Sequence, residues 1–159
     1  MKIKHASSSL VEGFRGLFVL WAVIIGVLVL DQLTKNLVLS SMNPNESIPI
    51  LQGVFHLTYV QNTGIAFGLF QNANLLFGVL SALIIAGIIL FLPHIKKEGR
   101  AMHAAFGLLL GGALGNLIDR IYLGFVVDFL DFRVWPVFNV ADSSVCIAIA
   151  LLLLLTWKK

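Results

Sequence analysis

Four stretches of this 159-residue chain are long and apolar enough to cross a lipid bilayer, and nothing else in it constrains the fold as strongly. A span needs about 20 mostly apolar residues to bridge about 30 Å of hydrocarbon. The stretches cover roughly 17–37, 75–92, 102–122 and 140–157, and the second holds one polar side chain, Ser81. Hydrocarbon offers a free backbone group no partner, so each stretch is expected to be helical. Composition points the same way. Charged residues make up 12% of the chain and hydrophobic residues 58%. A soluble domain carries about 25% charge, so this chain cannot cover a water-facing surface. Low hydrophobicity, the signature of disorder, is absent. The expected fold is an all-α membrane protein: a four-transmembrane-helix bundle forming one integral membrane domain over 1–159.

Lys and Arg set the direction of insertion. Lys2, Lys4 and Arg15 precede the first span, Lys96, Lys97 and Arg100 lie between the second and third, and Lys158 and Lys159 end the chain. The segment 38–74 has no Lys or Arg. Both termini and the middle loop are therefore expected in the cytoplasm, with 38–74 and 121–139 facing outward. The net charge of +3 reads as topology, not as a nucleic-acid footprint. Span one starts like a signal peptide but lacks a small-residue cleavage site, and Asp31-Gln32-Leu33-Thr34-Lys35 follows instead. It reads as a retained span.

The first outward segment is patterned. Asn43-Pro44-Asn45 and Gln61-Asn62-Thr63-Gly64 read as turns. Between them Val54–Val60 alternates, with Phe55, Leu57 and Tyr59 against His56 and Thr58. That predicts a short sheet at the membrane surface. Phe67, Phe70 and Trp135 suit the interfacial aromatic belt. Gly107, Gly111 and Gly115 recur every four residues on span three, on one face, where a neighbouring helix can approach closely.

Ionisable groups in or beside a span are costly and mark function by default. Asp31, Lys35, Asp119, Arg120, Asp128 and Asp142 all fall toward the outer side. Asp31 and Lys35, four apart on one helix face, can pair. Arg120, four past Asn116, can hold a backbone carbonyl or a carboxylate. Asn62 and Asn139 sit where outward loops meet helices, and Asn139 is placed to cap span four. Asp142 lies one turn into that span with no basic residue nearby. In Val126-Val127-Asp128-Phe129-Leu130-Asp131, Asp128 shares a face with Val126 and Leu130 and is expected in apolar company, with a raised pKa.

Two carboxylates at one depth suggest a dyad sharing a proton, one acting as general base on water and one as proton donor. That is aspartic peptidase chemistry and calls for no cofactor. Spacing alone leaves the choice among Asp119, Asp128 and Asp131 open. Cys146 has no His near it and is expected as a packed core thiol. A serine–lysine pair of Ser143 or Ser144 with Lys35 is a weaker reading. A metal site would want more His or Glu than the outer side offers, His56 being the only His there.

The chain closely resembles the lipoprotein signal peptidases, or signal peptidase II, of bacterial inner membranes. The resemblance rests on Asp31-Gln32-Leu33-Thr34-Lys35, Asn62-Thr63-Gly64-Ile65-Ala66-Phe67-Gly68, Gly111-Gly112-Ala113-Leu114-Gly115-Asn116-Leu117-Ile118-Asp119-Arg120, Val126-Val127-Asp128-Phe129 and Phe138-Asn139-Val140-Ala141-Asp142-Ser143. It implies a four-helix membrane aspartic peptidase with an outward β-cradle and a loop over the site. It implies cleavage of prolipoproteins just before a diacylglyceryl-modified cysteine, and inhibition by globomycin. By resemblance, Asp128 and Asp142 match the catalytic pair. Asn62, Gly64, Asn116, Arg120, Asn139 and Ala141 match the supporting positions, and Asp31 with Lys35 a structural pair. Lipidated prolipoprotein and membrane lipid are the implied partners, with no nucleic acid. The substrate's signal helix is expected against the glycine-bearing face or its neighbour. The alternative function is a small proton-coupled transporter using the same carboxylates, a class that prefers midplane carboxylates and internal repeats.

Overall fold

The structure is a computed structural model that describes residues 2–64, 74–95 and 98–157, with side chains from residue 13 onward. Helix α1 (Lys2–Ser41) leads into a hairpin of β1 (Ser47–Leu51) and β2 (Phe55–Asn62). Helix α2 (Asn74–Phe91) ends in a 3-10 turn over Leu92–Ile95, and α3 (Arg100–Tyr122), β3 (Val126–Asp131) and α4 (Val140–Trp157) follow. The expected class is what is seen: four helices of membrane-spanning length and composition, with one small antiparallel sheet. Phe67 and Phe70, residues 65–68 of the second motif, and Lys96, Lys97, Lys158 and Lys159 lie outside the described residues, as do the side chains of Lys2 and Lys4.

Helix α3 is the axis of the bundle. Half of its span is buried within the protein, against 17% or less in each other helix. The outward faces of the others carry bare apolar side chains such as Phe18, Leu75, Leu90 and Leu153. Water would not tolerate that much contiguous apolar surface, and lipid does. Trp135 is 69% exposed, in the segment between β3 and α4.

Glycine sets how closely α3 is approached. A Cβ on Gly107 would lie 2.9 Å from Leu20 O, one on Gly111 2.8 Å from Val27 Cβ, and one on Gly115 2.5 Å from Asp31 Oδ2. The stripe is therefore filled by α1, so of the two places expected for a substrate helix, the glycine-bearing face or its neighbour, the first is already taken. Small residues at four-residue spacing serve the chain's own packing here. Gly112, one step round the helix, faces α4: a Cβ there would run into Ala141 O and come within 2.5 Å of Ser144 Oγ. Gly112→Ala is expected to lower stability by about 1–3 kcal/mol, because backbone cannot yield as a flexible side chain does. Gly87→Ala is the control, since its Cβ would meet nothing within 4 Å. Thermal unfolding in detergent tests this; a midpoint for Gly112→Ala as high as that of Gly87→Ala would contradict it.

Cys146 also departs from expectation. Helix α4 packs through Ala141, Ser144 and Ala148, and the Cys146 thiol lies off that stripe, exposed on the lateral face.

The sheet has the order β1-β2-β3 and pairs Ile48 with Leu57, Val60 with Asp128 and Asn62 with Val126. It rests on the end of α1 through Val38, Met42, Tyr59, Val127 and Phe129. After α3 the chain reverses at Gly124, whose φ of +81° is open to glycine and strained for other residues. That reversal aims β3, and with it Asp128, back across the end of the bundle.

Candidate active site

Asp128 and Asp142 reach one place from different elements. Asp128 sits in the middle of β3, and β2 brings Asn62 beside it, so that Asn62 Nδ2 donates to Asp128 Oδ2 at 2.8 Å. The Asn62 amide is itself steered, because its Oδ1 accepts the Gly64 N–H at 3.1 Å. Asp142 lies in the first turn of α4. Asn139 caps that helix: its Oδ1 accepts the Asp142 N–H at 2.9 Å, and Asp142 Oδ2 accepts the Asn139 N–H at 3.3 Å. This is a reciprocal capping box built from Asn and Asp.

Asn139 is the hinge of the arrangement. Fully buried, it donates Nδ2 to Asp128 Oδ1 at 2.7 Å, to Asn116 Oδ1 at 3.0 Å and to Val127 O at 3.3 Å. Asn116 Nδ2 donates to Asp142 Oδ1 at 2.7 Å. One residue thus touches both carboxylates, and a second ties Asn139 to Asp142. The expectation of apolar company for Asp128 is corrected: alternation along a strand decides the face, and here the face is covered by carboxamides.

Among the described residues neither carboxylate forms an ion pair. Burial pushes the Asp128 carboxyl up to about 7, and the nearby Asp142 charge adds to the rise, while hydrogen bonds from Asn62 and Asn139 and the charge of Lys35 oppose it. Asp131 on the same strand behaves oppositely. Burial pushes it up, but hydrogen bonds from Thr58 and from Arg133 outweigh that and hold it below the ordinary range. Asp131 accepts from Thr58 Oγ1 at 2.7 Å and pairs with Arg133 Nη1 at 2.9 Å. Arg133 has a left-handed φ of 65°, and its N–H is held by Asp131 Oδ1 at 2.8 Å.

Behind the carboxamides lies an ion cluster that sequence reasoning saw in part. Lys35 Nζ pairs with Asp31 Oδ2 at 2.8 Å, as the spacing predicts, and also with Asp119 Oδ2 at 2.9 Å. Asp31 Oδ1 accepts the buried Ala141 N–H at 2.9 Å, and Asp119 Oδ2 accepts the Val127 N–H at 3.1 Å. Gln32 Nε2 bridges to Asp119 Oδ1 at 3.0 Å. The part of Asp119 and Gln32 went unread; the signal was their common depth with Lys35. Arg120 Nη1 holds the Asn116 carbonyl at 3.2 Å, and its guanidinium lies 6.0 Å over the Phe77 ring. No cluster of three or more His, Cys, Asp or Glu suited to a metal occurs among the described residues.

Comparison with known proteins bears on this geometry. A sequence profile described as Signal peptidase (SPase) II matches residues 23–158. A lipoprotein signal peptidase of Halothermothrix orenii is 51% identical over 140 residues, covering 87% of this chain and 95% of the relative. One from Moorella thermoacetica is 44% identical, covering 79% and 84%. Two solved bacterial membrane enzymes, determined by the in meso method, superpose with a TM-score of 0.78 at 31% identity. The first covers 87% of each chain, the second 88% of this chain and 93% of its own.

Proposed function

The chain belongs to the signal peptidase II family, and we propose that it removes the signal peptide from prolipoproteins as an aspartic endopeptidase, with Asp128 and Asp142 as the catalytic pair. It is a multi-pass membrane peptidase. The observation that carries the aspartic reading is the Asn139 side chain, bonded to Asp128 and, as cap, to Asp142. Two carboxylates joined through one amide share a site and a proton.

The roles follow from position. Asp142 lies in the first turn of α4, where backbone N–H groups favour an anion. Asp142 takes a proton from water as the water oxygen attacks the scissile carbonyl carbon. Asp128, protonated, gives its proton to the carbonyl oxygen. The tetrahedral diol collapses, the C–N bond breaks, the leaving nitrogen receives the proton held by Asp142, and a diol hydroxyl returns one to Asp128. Asn62, Asn116 and Asn139 hold the two carboxylates, Gly64 steers Asn62, Arg120 holds the Asn116 carbonyl, and the Ala141 N–H, held by Asp31, fixes the backbone before Asp142.

The substrate class is a prolipoprotein carrying diacylglycerol on the cysteine after the cut. A lipid-anchored substrate presents that bond near the membrane surface, and both carboxylates sit at the sheet end of the bundle. The distribution of Lys and Arg supports cytoplasmic termini and an outward site, and the bacterial relatives support an inner-membrane enzyme. A cyclic peptide of the globomycin type would bind as an uncleaved substrate. Nothing in the comparisons favours the transporter alternative.

A gel-shift assay in detergent tests the reading, using one prolipoprotein with and without diacylglycerol. Cleavage of the lipidated form alone is expected. Equal cleavage of both forms would remove lipid from the specificity, and cleavage of neither by folded protein would remove the peptidase. The pH dependence has a definite sign. Asp128 donates only while protonated, so kcat/KM falls as pH rises through about 7. A profile flat from pH 6 to 8 would contradict the role given to Asp128.

A further inference from the structure

The signal peptidase reading uses the carboxamides but leaves Lys35 as structure. Its ammonium is buried and spends its donors on three acceptors: Asp31 Oδ2 at 2.8 Å, Asp119 Oδ2 at 2.9 Å and Asn116 Oδ1 at 2.8 Å. The first two would suffice to neutralise it. The third reaches out of the ion cluster into the site. Asn116 Oδ1 accepts from Lys35 and from Asn139 Nδ2 together, and Asn116 Nδ2 is then left for Asp142 Oδ1 at 2.7 Å.

An amide has one acceptor end and one donor end. Turned over, Asn116 would set its NH2 against the Lys35 ammonium and the Asn139 NH2, and its oxygen against the Asp142 carboxylate. Every contact would then oppose like poles in a site of low dielectric, where such errors are costly. A buried cation commits the amide to one orientation, and that orientation is the one that serves Asp142.

We propose that Lys35 is a positioning residue for hydrolysis: by holding Asn116 Oδ1 it fixes the Asn116 amide, and through it the Asp142 carboxylate. Asp31 adds a backbone route, since its Oδ1 holds the Ala141 N–H directly before Asp142. The inference rests on Asp142 being one of the catalytic pair.

The test is a double-mutant cycle between Lys35 and Asn116, reading kcat and KM for a lipidated prolipoprotein. Misplacing a reacting group by about 1 Å costs on the order of 100-fold, so Lys35→Met and Asn116→Ala should each lower kcat by about that factor with KM little changed. Groups that act as one unit are not additive, so Lys35→Met made in the Asn116→Ala background should cost less than about threefold more. Removing Lys35 strands two buried carboxylates, so the cycle is repeated with Lys35→Met/Asp119→Asn. That pair keeps the formal charge of the Asp31, Lys35 and Asp119 cluster at −1 and gives a folded form if Lys35→Met alone unfolds. Factors that multiply across the cycle, or a loss carried by KM, would overturn the proposal and leave Lys35 structural. Turnover retained in Asp142→Asn would instead overturn the peptidase assignment beneath it, so the two failures are told apart.

Discussion

Asp142→Asn is expected to lower prolipoprotein cleavage by at least about 10⁴-fold, and Asp128→Asn by as much, in protein that remains folded. The substitution keeps size and removes the proton-carrying group. In Asp142→Asn the carbonyl oxygen can still accept from Asn116 at the short contact, and only the long 3.3 Å bond from the Asn139 N–H is lost, so the loss is mainly chemical. Asp128→Asn is harsher. Both Asp128 oxygens accept N–H groups, from Asn62 and Asn139, so the new NH2 must face one donor with another. Some loss of stability therefore accompanies the loss of turnover there. Asp131→Asn is the contrast: Asp131 is engaged by Thr58 and Arg133, away from the pair, and should leave partial activity. The measurement is a gel-shift time course in detergent beside a thermal melt. More than about 1% of normal turnover in either Asp128→Asn or Asp142→Asn would end the dyad assignment, given the size of effect expected for a reacting group.

Asn139→Ala carries the second largest expectation. It removes a helix cap, whose loss costs about 0.5–2 kcal/mol. It also strips Asp128 Oδ1 and Asn116 Oδ1 of a donor each, in a site with no room for error. Turnover should fall by about 100-fold or more, as for other displaced catalytic groups. Asn139→Ser separates the two effects, since Ser caps nearly as well and cannot reach as far. Stability recovered with activity still low is the expected pattern for Asn139→Ser. Activity recovered along with stability would reduce Asn139 to a cap.

Local features were legible in the sequence and long-range ones were not. The helices could be read because length and apolarity belong to a contiguous stretch. The Asp31–Lys35 pair could be read because four residues is one helical turn. Asn139 could be read as a cap for the same reason. The second partner of Lys35, Asp119, is chosen by how α1 and α3 pack, and no spacing encodes that. The strand rule placed Asp128 on a face but could not say that Asn62 and Asn139 would cover it. Likewise the glycine stripe announced a close neighbour without naming α1. The choice of Asp128 over Asp119 and Asp131 came from family resemblance, and the structure supplies a physical difference: Asp119 is paired with Lys35, Asp131 with Arg133, and Asp128 only with amides.

The buried ion cluster also bears on how such a chain is made. During biosynthesis the helices enter the bilayer in order, and a lone charge in hydrocarbon is costly. Asp31 and Lys35 sit four apart on α1 and can enter already matched. Asp119 and Arg120 are adjacent on α3 and arrive with their charges balanced too. Only Asp142 travels on a helix with no cation, and it finds its amide donors when α4 closes onto α3. A nascent chain stopped before its last helix is thus a balanced but incomplete bundle. Its second carboxylate arrives only with α4, so on the proposed mechanism a chain halted after α3 holds its ion cluster together and cannot yet cut.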